Sequence, residues 1–423
     1  MKHFLLLNFL MLLLFSNPAL GNNNVSDQQQ MLTLKGRVYA GDLRDVLSNA
    51  SVSVEGANVS SVTNQDGYFT LRVPSSARNS NVIIRYLGYE NKSIPVVALI
   101  DKPNNNIILN PSSIKLSELY VVTGDGSEIV KDALKSISKN YSSDPSMMVA
   151  FYRESIKKNS NYISLVEAVL DVYKASYKSY NDDQAKIYIG RKATDISPRD
   201  TVLMKFQGGI SSSLMLDIAK HPDVVFDVNV EEYTFHIDNL VNINDKPHYA
   251  ISFEPLPSIT DILFRGVLYI EMESLAIARA EFNMNVENRK DASNIFIRRK
   301  PAKMKAEVAE AHYVVDFLED NGKWYFNYSA TTVSFKVRWT NRLFGLFSTN
   351  YTISSEIAIT DRYNSNVVKF PRKERIRSSD VIAEKVEYFQ DPDFWGDYNV
   401  IEPDLEINKA IKRLSGKLLR RNE

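Results

Sequence analysis

Apolar and polar positions alternate along most of the chain with a period of two, in two separate blocks. In the first block the runs 32–38, 50–55, 68–73 and 81–89 are short and bounded by turn residues. That is the signature of antiparallel strands with one buried face. Between two of them stands Thr63-Asn-Gln-Asp-Gly67. Asp66-Gly67 there is a strong hairpin signal, because glycine supplies the positive φ that such a turn needs. In the second block the runs 148–157, 162–177, 185–192, 232–240, 247–254, 265–272, 276–285, 311–318, 324–338 and 349–360 alternate in the same way. Ten runs joined mostly by short polar turns predict one large antiparallel sheet, strongly curved or closed.

Helical spacing interrupts this pattern in three places. Over 125–141, Ile129, Ala133, Leu134 and Ile137 share one face while Lys131, Asp132, Lys135 and Lys139 face away, which predicts an amphipathic connector docked on the second block. A short helix is expected over 211–220, entered through Gly208-Gly209 and ended by His221-Pro222. From Asp404 to about Arg420, Ile407, Ile411, Leu414 and Leu418 form an apolar stripe opposite Lys409, Lys412, Arg413 and Lys417. The basic face suits an anionic membrane surface, or it is simply the solvated side of a helix capping the sheet.

The N-terminus changes the compartment. Lys2 and His3 precede the apolar run Phe4–Phe15, and Ala19-Leu20-Gly21 follows, so 1–21 reads as a secretory signal peptide. A span needs about 20 apolar residues, more than this run offers, and no later stretch is apolar enough to cross a bilayer. The Asn/Gln-rich stretch 22–31 reads as a disordered lead-in. The 423 residues suggest two or three domains. Lys plus Arg equals Asp plus Glu at 51 each, which gives no field for nucleic acid. The chain has no cysteine, which excludes disulfides, thiolate metal sites, cysteine nucleophiles and a lipidated cysteine. An exported, cysteine-free chain of this size points to the periplasm or outer-membrane periphery of a Gram-negative bacterium.

Lys35-Gly-Arg-Val38, Asn49-Ala-Ser-Val-Ser-Val-Glu-Gly56, Val62-Thr-Asn-Gln-Asp-Gly-Tyr-Phe69 and Tyr86-Leu-Gly-Tyr89 together resemble the carboxypeptidase regulatory-like domain. The resemblance implies a transthyretin-like β-sandwich of seven or so strands over 32–110, an accessory module without catalytic residues of its own. Tyr68, Phe69, Tyr86 and Tyr89 are expected to serve as core or edge packing, with ligand stacking as the alternative. Leu116-Ser-Glu-Leu-Tyr-Val-Val-Thr-Gly124 is similar to the segment that joins this module to the plug of TonB-dependent receptors. It is either an ordinary linking strand or one that pairs with TonB at a sheet edge. The remaining ~300 residues fall short of a plug and a 22-stranded barrel. The hairpin Phe264–Phe282, with the strand-plus-helix pattern around it, weakly resembles the periplasmic lipoprotein-carrier fold, a half-open barrel around a helix that holds acyl chains. The stretch from Asp391 to Asp404 looks like the closing motif of envelope proteins carrying the same N-terminal module.

The fold class expected is therefore mainly β: a seven-stranded sandwich at 32–110, a linker strand and connector helix at 111–146, a curved antiparallel sheet or half-barrel with a few helices at 147–401, and an amphipathic helix at 402–423. Motifs for bond chemistry are sparse. His221, His236, His248 and His312 begin no H-x-x-E or H-E-x-x-H pattern, although His236 and His248 are placed to face each other across a hairpin. Gly208-Gly-Ile-Ser-Ser-Ser213 suits helix capping or an anion. Asp391, Asp393, Asp397, Glu402 and Asp404 surround Trp395 and could supply a carboxylate pair for a glycan or peptide hydrolase. The turn Arg342-Leu-Phe-Gly-Leu-Phe-Ser348 is apolar where hairpin tips are normally polar. Leu343, Phe344, Leu346 and Phe347, with Trp395 as a second candidate, are expected to contact an apolar ligand or partner.

The reading that follows is a non-catalytic periplasmic binding or accessory protein, without cofactor or metal, for a lipid-like ligand or an outer-membrane or TonB-system partner. The alternatives are a hydrolase using the acidic loop and a TonB-system accessory.

Overall fold

The computed structural model describes residues 30–422 apart from 101, 103–104, 113–124, 196–208, 227–229, 260–262, 288, 297–302, 341–347 and 389–393. The expected signal peptide, most of the lead-in and the 116–124 run lie outside the described residues.

The first block folds into eight strands: β1 (Met31–Ala40), β2 (Asp45–Val46), β3 (Ser51–Val54), β4 (Ser60–Val62), β5 (Tyr68–Pro74), β6 (Asn81–Arg85), β7 (Lys92–Pro95) and β8 (Asn106–Leu109). They form two four-stranded sheets, β2-β1-β5 with β8 on β1, and β4-β3-β6-β7. The one strand beyond the expected seven is β2, whose two residues pair only with Tyr39 and Ala40 and leave no alternation to read. A short helix, α1 (Val96–Leu99), closes one end. Leu34, Val38, Val52, Phe69, Leu71 and Ile84 fill the space between the sheets. Gly67 has φ 80°, and a Cβ there would lie 2.9 Å from the Val38 carbonyl oxygen, so the hairpin turn admits only glycine. Phe69 is buried as expected, while Tyr68 stays partly exposed with the Arg37 guanidinium over its ring.

Every one of the ten predicted runs of the second block is a strand. These are β9 (Ser146–Lys158), β10 (Asn161–Lys174), β11 (Gln184–Thr194), β12 (Tyr233–Ile243), β13 (Lys246–Pro255), β14 (Phe264–Glu271), β15 (Ile277–Met284), β16 (Met304–Asp320), β17 (Lys323–Trp339) and β18 (Ser348–Tyr363), joined by a two-residue β19 (Glu387–Tyr388). The order is β12-β13-β14-β15-β16-β17-β18-β9-β10-β11-β19. All pairs are antiparallel except β11 with β19. The sheet is open, ending at β12 and β19. Register shifts at Val169/Leu170, Ile237/Asn239, Val308/Glu310 and Ile359/Asp361 add local twist that curls it.

Both faces of this sheet are covered, each by different elements. On β9, Met148, Ala150 and Tyr152 enter one core, while Phe151 enters another. Alternate residues of a strand point to opposite faces. The first face packs against α2 (Gly126–Asn140), α3 (Gly209–Met215), α4 (Asp223–Phe226) and α5 (Arg289–Phe296). Helix α2 is the expected connector: Asp125 caps it by accepting from the Ser127 amide at 2.9 Å, and Val130 and Ala133 are buried. Helix α3 starts two residues before the expected 211 and stops at Met215, where the chain turns through Asp217.

The second face receives the N-terminal sandwich and the segment 394–404, followed by α6 (Leu405–Asn422). Val62 of the sandwich packs with Phe151, Tyr328, Trp395 and Ile401. The Asn399 side-chain amide accepts from the Arg72 amide at 2.6 Å and donates to the Arg72 carbonyl at 2.9 Å, giving β5 a strand-like pair of hydrogen bonds from a side chain. Beneath this contact lies a buried ion cluster. Glu167 pairs with both Arg153 and Arg191 at 2.8 Å, and Arg153 also reaches Glu356 at 3.1 Å and the Ile401 carbonyl at 2.7 Å.

Candidate apolar ligand cavity

The segment carrying α3 and α4 is tied to the sheet by a buried polar cluster. Lys174 Nζ lies 2.5 Å from Asp183 Oδ2 and 2.6 Å from Asp217 Oδ2. The Tyr177 hydroxyl donates to the same Asp217 oxygen at 2.7 Å, and Lys220 Nζ donates to the Ser176 carbonyl at 2.8 Å. Burial disfavours the ammonium, yet Asp183 and Asp217 outweigh it and raise the Lys174 pKa. The cluster is thus a charged anchor, fixing how far the helices stand off the strands.

Between these helices, α5 and strands β14–β16 lies a cavity of about 550 Å³. Leu216 and Val224 line it from the helical side, Met284 and three aromatic rings from the sheet, and Phe296 from α5. Phe282 stacks on Tyr313 at 5.1 Å with the planes 14° apart. Phe264 stands edge-on to both, at 5.4 and 5.7 Å. Such edge and offset contacts fix ring orientation beyond simple burial. Met215 and Ile295, 49% and 47% exposed, also line the cavity and place apolar side chains at its mouth.

One wall is polar. Ser212, Thr331, Ser355, Ser378 and Ser379 line it, and beside Ser355 on the same face of the sheet stands Glu154, its register partner on β9. Glu154 is 8% exposed, its Oε2 accepts from the Tyr152 hydroxyl at 2.9 Å, and no cation pairs with it among the described residues. Burial raises its pKa. Gly209, which lines the cavity, has φ 35°. A Cβ there would lie 3.3 Å from the Tyr152 hydroxyl and 3.7 Å from Glu154 Oε2.

The residues expected from sequence to form the contact site lie elsewhere. Leu343, Phe344, Leu346 and Phe347 fall outside the described residues, in the connection from β17 to β18. Trp395 is corrected: it is 8% exposed, wedged edge-on against Phe151 at 5.7 Å and Phe394 at 4.9 Å, and belongs to the contact between sheet and sandwich. The acidic loop around it does not converge. Asp391 and Asp393 lie outside the described residues, Asp397 is exposed, and Asp404 caps α6 by accepting from the Ile407 amide at 2.6 Å. His236 stands opposite Ser252 and His248 opposite Val241, so the two imidazoles do not face each other. Among the described residues no group of three or more His, Asp or Glu is placed to hold a metal ion.

The cavity itself was missed as a set. Phe264 and Phe282 bound the hairpin already singled out in sequence, but Tyr313 and the helix of Phe296 lie far along the chain, and only strand order brings them together.

The fold thus defines a protein of two β-rich units, a small sandwich and an open sheet holding an apolar cavity. Residues 34–121 match the family model of the CarboxypepD_reg-like domain, so the first unit is such a domain. No curated protein sequence matches the chain. Among solved structures it is similar to a domain described as that of an outer membrane lipoprotein-sorting protein from Vibrio parahaemolyticus, at 12% identity over 58% of this chain and 94% of that one, with a TM-score of 0.26. It is also similar to a DUF1329 family protein from Desulfovibrio piger ATCC 29098, at 11% identity over 58% and 96%, with a TM-score of 0.24. At these TM-scores neither likeness carries an argument about function.

Proposed function

We propose that the protein is a non-catalytic binding protein of the cell envelope that holds an apolar ligand between the helices and the sheet. The observation that supports this reading is the cavity of about 550 Å³ with the Phe264–Phe282–Tyr313 cluster on its wall and Met215 and Ile295 exposed at its mouth. Ligand sites are concave and mainly apolar with a few placed polar groups, and a serine-rich wall beside an aromatic one fits that description. The N-terminal unit serves as an accessory, docked through the 394–404 segment to the sheet face opposite the cavity. Location in the periplasm rests on the leader-like N-terminus, and an outer-membrane or TonB-system partner rests on the 116–124 run.

The test is titration with N-phenyl-1-naphthylamine, an apolar dye that fluoresces on leaving water. Saturable enhancement is expected for the native protein, displaced by 1-dodecanol. Met215→Glu and Ile295→Glu each place a charge at the mouth and are expected to weaken binding about tenfold, with the melting temperature unchanged because both side chains are half exposed. Native protein that fails to bind the dye, or variants that bind it equally well, would defeat the proposal.

A further inference from the structure

The apolar part of the cavity does not account for its other end. Glu154 comes from the middle of β9, in the helix-covered face of the sheet, where its neighbours Tyr152 and Ile156 are core residues. A carboxyl group in such a place is costly unless paired, and a Leu or Val would serve packing better. Other buried acids have cations or backbone amides: Glu167 has two arginines, Asp183 and Asp217 share Lys174, and Glu271 accepts from the Ser274 amide. Among the described residues Glu154 has one hydrogen-bond partner, the Tyr152 hydroxyl. It also adjoins two residues that line the cavity: it stands beside Ser355 on the same face of the sheet, and a Cβ on Gly209 would lie 3.7 Å from its Oε2. Gly209 keeps the approach open, since any side chain there would fill the space in front of Tyr152 and Glu154. Among the described residues no lysine, arginine or histidine lines the cavity, so a carboxylate or phosphate head would meet a carboxyl group there and no described countercharge.

We infer that Glu154 and Tyr152 form a head-group site at the serine-lined wall of the cavity, and that the ligand is a long-chain amphiphile whose head donates hydrogen bonds and is not anionic, an amine in particular. The inference rests on the binding reading above and sharpens it: the Phe264–Phe282–Tyr313 wall takes the chain, and the Glu154 carboxyl accepts from the head. A hydrogen bond to a charged group is stronger than one between neutral groups, so an ammonium head is favoured over a hydroxyl, and both over a carboxylate.

The experiment compares dodecylamine, 1-dodecanol and dodecanoate as competitors for the bound dye, in the native protein, Glu154→Gln and Tyr152→Phe, at about pH 8, where the amine is charged and the fatty acid ionised. The native protein is expected to bind dodecylamine at least about tenfold more tightly than dodecanoate, with dodecanol between them. Glu154→Gln keeps the shape of the side chain and is expected to shrink that ratio to about threefold or less. Tyr152→Phe, which leaves the carboxyl in place, is expected to reduce amine affinity by a smaller factor. Equal binding of amine and fatty acid by the native protein would overturn the inference, as would an unchanged ratio in Glu154→Gln, and in both cases the cavity would remain an apolar ligand site. Failure of all three compounds to displace the dye would overturn the cavity reading itself.

Discussion

The Arg191 guanidinium lies 4.6 Å from the centre of the Trp395 indole while donating to Glu167 Oε2 at 2.8 Å. One side chain of β11 thereby joins the buried ion cluster of the sheet to the segment that holds the N-terminal domain in place. Cation–π contacts of a desolvated guanidinium are worth about 2 kcal/mol, and the indole adds its own burial against Phe151 and Phe394. Trp395→Ala is therefore expected to lower stability by about 3–5 kcal/mol, read as a shift in the urea midpoint. A midpoint close to that of the native protein would show that the indole is not the wedge of this contact.

Glu167 is the centre of the cluster. Burial alone would raise its pKa, but Arg153 and Arg191 outweigh burial and lower it. A carboxyl whose folded pKa is depressed contributes stability that is present above its unfolded pKa and is lost as pH falls through the folded value. The loss therefore belongs below the ordinary glutamate range, about pH 4. Glu167→Gln strands two buried arginines and is expected to cost about 3–5 kcal/mol at neutral pH. Its stability is also expected to fall less steeply in that acid window. A parallel acid profile in native and variant proteins would refute the assignment.

His248 acts over a different range. It is fully buried, Nδ1 donates to the Lys246 carbonyl at 2.9 Å, Nε2 has no partner among the described residues, and burial lowers its pKa to about 4. The folded state thus keeps it neutral where the unfolded chain takes up a proton. Stability is complete above about pH 6.5 and falls by about 3 kcal/mol as pH drops from there towards 4. His248→Phe removes the proton site and is expected to flatten this stretch of the profile while leaving the steeper loss below it. Denaturant midpoints measured at half-unit pH steps decide the matter, and identical slopes in both proteins would sink it.

The alternation that names the strands was fully visible, because each strand of an antiparallel sheet must hide one face and its residues record that face locally. The length of β16 was not: Met304, Ala306 and Val308 alternate and are buried, but the intervening Lys305, Glu307 and the alanines are equally at home in a helix. Helix α5 escaped for a related reason, since Ile295 and Phe296 end a polar stretch too short to show a period. The exchange of Trp395 from rim to wedge has another cause. Sequence shows an aromatic beside carboxylates, but whether it faces water depends on the sandwich and the sheet meeting there, with Arg72 and Asn399 separated by more than three hundred residues. Likewise, nothing near Glu154 in the chain tells it apart from Glu167; only the partners brought by neighbouring strands do.

The anchor of the α3–α4 segment gives the last prediction. Asp217 is fully buried and accepts from both Lys174 and Tyr177, and the turn it starts carries the amide bonds of Lys220 and His221 back to its own carbonyl. Asp217→Asn preserves the shape but removes the charge, leaving Lys174 with Asp183 alone. The strands on either side keep their ladders, so the change should act locally: amides of 214–221 lose protection by about 10–100-fold in hydrogen exchange, while those of β9 and β10 change little. Because this segment carries Leu216 and Val224 into the cavity wall, its loosening is also expected to weaken dye binding. Exchange that stays unchanged in 214–221 would show that apolar packing of Leu214 and Ile218 holds the segment without the ion pair, and a loss spread evenly over the sheet would show that the cluster supports the whole core instead.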